Sequence, residues 1–295
     1  QGFDHTYYIK RSNNQTKELW RADKLAEKPF NNCLLSEQFA RDAIQFIVAQ
    51  RGKPFFLYVP FTAPHFPVQS HPQWKGRSEF GVYGDVVEEM DHRIGEILKT
   101  LEDQKIERKT IVVFLSDNGP QPGQKSQAKP FRGMKWDSLE GGTRVPCIVR
   151  YPGVIRGGRT SDALIAAIDL LPTLAHACGI DLDKARSGAP HEIDGVNVWA
   201  TLVGRHDVEH PRTDLLYWHG RSGFHAIRVG GWKLFLNRGG ARIKGPGEGP
   251  VLFHLTEDVA ELEDVAEQCP DRVATMRALA DKRITELNAN VIPFE

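Results

Sequence analysis

Three short stretches of this 295-residue chain set reactive side chains in stiff or glycine-punctuated backbone. Ser116-Asp117-Asn118-Gly119 follows an apolar run, and Asp117 and Asn118 present oxygen donors, which suit a hard cation such as calcium better than zinc. Taken alone, Asp-Asn-Gly is mainly a turn signal. His65 stands among prolines in the loop Thr62-Ala63-Pro64-His65-Phe66-Pro67, where an imidazole could give or take a proton near neutral pH; a structural histidine fits the same pattern. Lys135 follows Arg132-Gly133-Met134, and an ammonium there could neutralise a developing oxyanion, the plain alternative being a solvated surface lysine.

The elements that must position these residues follow from apolar periodicity. Phe39, Ala43, Phe46 and Ile47 predict a helix over Ser36–Gln50, opened by a serine cap. Val87, Met90, Ile94, Ile97 and Leu101 predict a second of about five turns. Phe55–Phe61 and Thr110–Leu115 are continuous apolar runs expected as strands buried on both faces, and Val145–Tyr151 is a third. Asp169–Cys178 reads as a helix closed by Gly179. Helices alternating with strands predict an α/β domain on a mostly parallel sheet, whose ligands bind beyond the carboxyl ends of strands, after Phe61 and Leu115.

Past Asp181 the pattern is interrupted, and short runs at Ala226–Val229, Trp232–Leu236 and Val251–Leu255 suit a smaller antiparallel sheet covered by a helix over Asp271–Leu287. The expected division is residues 1–205 as the α/β part and 206–295 as an α+β subdomain. Gly245–Pro250 lacks the lysine and the strand-to-helix setting of a phosphate loop and reads as a surface turn.

Together these stretches resemble the sulfatases, of the alkaline phosphatase superfamily. The resemblance rests on Lys53-Pro-Phe-Phe-Leu-Tyr-Val-Pro-Phe-Thr-Ala-Pro-His65-Phe-Pro67, Tyr83-Gly-Asp-Val-Val-Glu-Glu-Met-Asp-His-Arg-Ile-Gly95, Val112-Val-Phe-Leu-Ser-Asp-Asn-Gly119, Arg132-Gly-Met-Lys135 and Glu140-Gly-Gly-Thr-Arg-Val-Pro146. Ile168-Asp-Leu-Leu-Pro-Thr173, Ala226-Ile-Arg-Val-Gly-Gly-Trp-Lys-Leu234 and Leu252-Phe-His-Leu255 extend it over nearly the whole chain. It implies hydrolysis of sulfate monoesters, with Asp117 and Asn118 as ligands of a calcium ion (magnesium being the alternative), Lys135 binding sulfate oxygens and His65 protonating the leaving oxygen. Arg144 and His219 would border the substrate with Lys135, and Trp136 and His225 are further residues that could line the pocket. The implied substrate is a sulfated small molecule or carbohydrate, and the implied compartment periplasmic, extracellular or lysosomal.

Sulfatases attack with a formylglycine made from the first residue of a Cys/Ser-x-Pro/Ala-x-Arg signature, which these residues do not contain. Cys33-Leu-Leu-Ser-Glu37 has Leu and Glu where the signature needs Pro or Ala and Arg, so Cys33 reads as structural. The nucleophile is expected in an N-terminal part of the protein upstream of Gly2, and this chain alone is expected to be inactive. The alternatives are a phosphate or phosphonate ester hydrolase of the same superfamily and a non-catalytic sulfatase-like binding protein.

Thirty-eight basic residues balance thirty-eight acidic ones, which gives no support to a nucleic-acid partner. No apolar run approaches the roughly 20 residues of a membrane span. Cys33, Cys147, Cys178 and Cys269 form no Cys-x-x-Cys pair, which argues against zinc and predicts buried thiols.

Overall fold

The spacing of Phe39, Ala43 and Ile47 becomes the buried face of helix α1, Leu35–Ala49, in a computed structural model of the protein. The structure describes residues 2–50, 52–187, 192–205, 207–219, 223–236 and 249–289. They gather into two compact units, one running to Ile111 with Gln124–Ser126, the other comprising Val112–Gly123 and the chain from Gln127 onward.

In the first unit, Ser36 does not cap α1 but lies buried within it. The chain enters instead through a 3-10 turn, Asn32–Leu34, where the Asn31 side chain accepts from the Cys33 N–H at 3.1 Å. Strands β1 (Tyr7–Ile9), β2 (Leu19–Arg21) and β3 (Lys24–Glu27) form an antiparallel sheet in that order. Nothing in the sequence announces them, because three or four residues of mixed polarity carry no period. Leu19, Phe30, Leu35 and Phe39 make the local core, with Val59 and Phe61 packed against it. Helix α2, Gly81–Asp103, buries Val86 and Leu101, and also Asp85, Glu89 and Arg93. These charges are buried because they are bonded. Asp85 accepts from the Gly76 and Ser78 N–H groups at 2.8 Å each, and Glu89 accepts from the His71 N–H at 2.7 Å while lying 3.7 Å from Arg93.

The run Phe55–Phe61 differs from expectation. It belongs to no ladder, and its side chains alternate: Phe55, Leu57, Val59 and Phe61 are half-buried, whereas Phe56 and Tyr58 are each 66% exposed. A strand needs a hydrogen-bonded neighbour as well as an apolar sequence, and among the described residues none pairs with this run.

In the second unit, β4 (Val112–Leu115) pairs with β5 (Cys147–Arg150), from Val112 opposite Arg150 to Leu115 opposite Cys147. Both are more open than a strand buried on two faces: β4 is half-buried and Ile148 of β5 is 62% exposed. Between them lies the single turn α3 (Glu140–Thr143), and after them α4 (Leu170–Ala177) and the short α5 (Leu182–Ala185) and α6 (Trp199–Leu202). Gly179 closes α4 as expected, at φ +69°, with the Ile180 N–H reaching the Ala175 carbonyl at 2.8 Å. The α/β class holds, but every strand pair among the described residues is antiparallel, so the parallel pairing read from the alternation is not among them.

The C-terminal sheet has the three strands that the short runs predict, β7 (Gly223–Val229), β8 (Trp232–Phe235) and β9 (Val251–His254), and a fourth that they do not, β6 (Asp214–His219); it is antiparallel in sequence order and covered by α7 (Pro270–Ala289). Alternation divides it into two faces. Ile227, Leu234 and Leu252 pack against Met276 and Ala280 of α7, each such buried side chain worth about 1.5–3 kcal/mol. Ala226, Phe235, Val251 and Phe253 face the other way and pack on Leu139. Both faces are covered.

The four cysteines are free, Cys147 and Cys178 exposed and the other two half-buried, so the expectation of buried thiols fails. No described helix is long and apolar enough to cross a membrane. Residues 245–248 of the glycine-proline turn lie outside the described residues.

Asp169, in the turn entering α4, is wholly buried and accepts from the Ala166 and Val196 N–H groups at 2.8 Å each and from the Arg212 guanidinium. Burial pushes its carboxyl up, but Arg212 and the two amides outweigh burial and hold it below the ordinary carboxylate range. A depressed folded-state value means stability that is present above the unfolded value of about 3.9 and lost as pH falls through the folded one. Urea midpoints measured from pH 6 down to pH 3 should therefore fall, and Asp169→Asn should flatten the acid part of that curve while lowering its plateau.

Candidate functional site

Two groups of the residues singled out above can be built from the backbone upward, one in each unit. In the second unit the exit of β4 and the segment Arg132–Thr143 are joined backbone to backbone. The Gly119 N–H reaches the Gly142 carbonyl at 3.0 Å, the Lys135 N–H the Pro120 carbonyl at 2.9 Å, and the Gly141 N–H the Arg132 carbonyl at 2.7 Å. The glycines are what allow this approach. A Cβ on Gly119 would lie 1.9 Å from the Gly141 oxygen, and one on Gly142 would lie 2.1 Å from the Asp137 oxygen. The loop holding Asp117 and Asn118 and the loop holding Lys135 are thus one rigid piece.

On that piece the side chains are available for a ligand. Asp117 is exposed and has no hydrogen bond or ion pair among the described residues. The Asn118 amide donates through Nδ2 to the Gly119 carbonyl at 2.9 Å, which leaves its Oδ1 as an open acceptor. A carboxylate and an amide oxygen fit a hard cation in kind, but calcium takes 6–8 oxygens, so these two would be part of a shell. No group of three or more His, Cys, Asp or Glu side chains among the described residues is arranged to hold a metal. Lys135 is half-buried, with no carboxylate partner among the described residues, and its Nζ lies 5.7 Å from the ring centroid of Trp136. Trp136 is 56% exposed and adopts φ +78°, a conformation that bulky residues rarely take.

Arg144 is already engaged, its guanidinium 3.8 Å from Glu140 and over the Phe131 ring at 4.7 Å. His225 is wholly buried in β7 and so does not border an open pocket as the sequence suggests. The backbone of His219 ends β6, opposite Gly223, but its side chain lies outside the described residues.

Behind the rigid piece lies a charge cluster on which no role was placed from sequence. Glu140, at the start of α3 and 1% exposed, is 3.0 Å from Lys233 and 3.1 Å from Arg228. Lys233, fully buried in β8, also lies 3.1 Å from Glu261, whose Oε2 accepts from the Glu140 N–H at 2.6 Å. Two carboxylates thus meet Lys233 and Arg228, with Arg144 further out at 3.8 Å from Glu140. Burial opposes the charge on Lys233, but Tyr217 and the two carboxylates hold the ammonium above its ordinary range. Burial raises the Glu261 carboxyl despite Lys233, so Glu261 takes a proton at a higher pH than a free glutamate. The legible signal was Lys233 itself, a single charge in the otherwise apolar run Trp232–Leu236.

In the first unit His65 is half-buried, and its Nδ1 lies 2.7 Å from the Phe66 carbonyl and 3.1 Å from Asn13 Oδ1. Its Nε2 makes no hydrogen bond among the described residues.

Comparison with known proteins bears on both groups. The Sulfatase family model matches residues 1–180. The chain is 30% identical over 282 residues to an N-acetylgalactosamine-6-O-sulfatase of Bacteroides thetaiotaomicron, covering 89% of this chain and 52% of that protein. To the steryl-sulfatase of Mus musculus it is 29% identical, covering 84% and 44%. A solved structure from work on the metabolism of multiple glycosaminoglycans by Bacteroides thetaiotaomicron superposes with a TM-score of 0.75 at 28% identity, over 89% of this chain and 57% of that one. The chain spans about half the length of the curated relatives it matches.

Proposed function

Because the chain belongs to the sulfatase family, we propose that the intact protein hydrolyses sulfate monoesters of a small alcohol or carbohydrate. The observation that carries this reading is the backbone-welded piece presenting Asp117 and Asn118 Oδ1 without a hydrogen bond or ion pair, and Lys135 without a carboxylate partner, among the described residues.

Each side chain has a task that its chemistry allows. Lys135 would bind sulfate oxygens and offset the charge that gathers on the sulfuryl group as the ester bond breaks. Asp117 and Asn118 would supply two ligands to a calcium ion, which as a bound Lewis acid neutralises charge on the sulfate. His65 would deliver a proton from Nε2 to the departing oxygen, so that the alcohol leaves uncharged. The attacking oxygen is assigned to the formylglycine expected upstream of Gly2.

The test is the rate at which the intact protein hydrolyses the sulfate and the phosphate ester of one phenol. Sulfate ester hydrolysis that is lost on exhaustive chelation and restored by calcium is the expected result. Faster hydrolysis of the phosphate ester would move the protein to phosphorus chemistry, and binding of the sulfate ester without turnover would make it a binding protein.

A further inference from the structure

The hydrogen-bond chain around His65 can be read from one fixed end. The Pro67 carbonyl can only accept, and Asn32 reaches it at 3.0 Å, so that atom of Asn32 must be Nδ2. The other end of the Asn32 amide is then Oδ1, and it meets Asn13 at 2.8 Å, so the Asn13 atom there must be its Nδ2. What Asn13 turns toward His65 is therefore Oδ1, an acceptor, at 3.1 Å from Nδ1. The other neighbours of Nδ1 agree. The Phe66 carbonyl lies at 2.7 Å, and Ser12 Oγ, which gives its own proton to Asn14 Oδ1, lies at 3.4 Å. The two nearest oxygens, those of Asn13 and Phe66, can only accept from Nδ1.

We propose that Asn13 and Asn32 are positioning residues for His65, a relay that holds the neutral imidazole as the Nδ1–H tautomer and leaves Nε2 as the nitrogen that exchanges protons. Asn13 is 2% exposed, which makes an unpaired amide there costly and keeps the relay closed. The catalytic meaning rests on the reading of His65 as the acid for the leaving group. In that step the imidazolium Nε2–H proton passes to the oxygen as its bond to sulfur breaks, and the ring is left neutral with its proton on Nδ1, the form the relay stabilises.

The tautomer can be measured without turnover, so the outcome is independent of whether the protein hydrolyses sulfate. Ring 15N shifts of the chain, with the His65 signals assigned by their absence in His65→Gln, should show a protonated Nδ1 and a bare Nε2 above the titration range. In Asn13→Leu, and in Asn32→Leu where the Asn13 amide becomes free to turn over, the Nε2–H form should gain about three- to tenfold relative to Nδ1–H, the worth of one net hydrogen bond. Two results would overturn the proposal: an Nε2–H tautomer in the unaltered chain, which needs neither asparagine variant to fold, or unchanged tautomers in both folded variants, which would assign the effect to the Phe66 carbonyl alone.

Discussion

Lys233→Met should be the most damaging single substitution in the second unit, lowering its stability to urea by about 3–5 kcal/mol, the usual cost of removing one partner from a buried ion pair. The side chain is fully buried between Glu140 at 3.0 Å and Glu261 at 3.1 Å. Methionine matches its length and suits the aromatic neighbours Tyr217 and Phe235, so the loss would come from charge and not from a void. Glu140 would keep Arg228 at 3.1 Å and Arg144 at 3.8 Å, whereas among the described residues the Glu261 carboxylate would keep only its bond from the Glu140 N–H at 2.6 Å. Adding Glu261→Gln should therefore recover part of the loss, because the amide oxygen still accepts that N–H and no unpaired charge stays buried. A double-mutant cycle on urea midpoints would show a coupling of about 1–3 kcal/mol. Additive losses would mean that the cluster is held by packing alone.

How far the fold is legible in the sequence depends on whether an element carries its own period. Helices α1, α2, α4 and α7 and strands β7, β8 and β9 form close to where apolar spacing puts them, because each buries a continuous stripe or an alternate set of side chains. Phe55–Phe61 has strand composition, but composition cannot supply the neighbour that a ladder requires, and Phe56 and Tyr58 stand exposed. The Tyr7–Glu27 sheet was illegible for the opposite reason, its strands being too short for any pattern.

The site divides along the same line. Asp117, Asn118, His65 and Lys135 stand out because local sequence, glycine or proline beside a reactive side chain, marks them. Asn13, Asn32, Glu140 and Glu261 do not, because what makes them matter is a partner distant in sequence: Asn13 and His65 are 52 residues apart, Glu140 and Lys233 are 93. Only the folded backbone brings such pairs together. Asn13, Glu140 and Glu261 share a further trait, a polar group that is buried, which a sequence does not display.

The proposed roles of Lys135 and His65 lead to different dependences on the leaving group, and that difference is the sharpest test of the site. Lys135 is placed on the sulfuryl oxygens, which every sulfate ester shares. In the intact protein Lys135→Ala should lower kcat/KM by about 10²–10³-fold, the range seen when one preorganised donor to a developing oxyanion is lost. That factor should be nearly the same for nitrophenyl and alkyl sulfates. Lys135→Arg should restore a fraction of the rate, since it keeps the charge while its planar fork cannot occupy the place of a compact ammonium. His65 acts on the departing oxygen, so His65→Ala should cost little with a nitrophenolate, which leaves readily without a proton. With an alkoxide the same change should cost about 10²–10⁴-fold, the span of general acid catalysis. A plot of log kcat/KM against leaving-group pKa would then run parallel to the unaltered enzyme for Lys135→Ala and steeper for His65→Ala. Parallel lines for both would remove His65 from the proton transfer, and a steeper line for Lys135→Ala would move the ammonium from the sulfuryl group to the leaving oxygen.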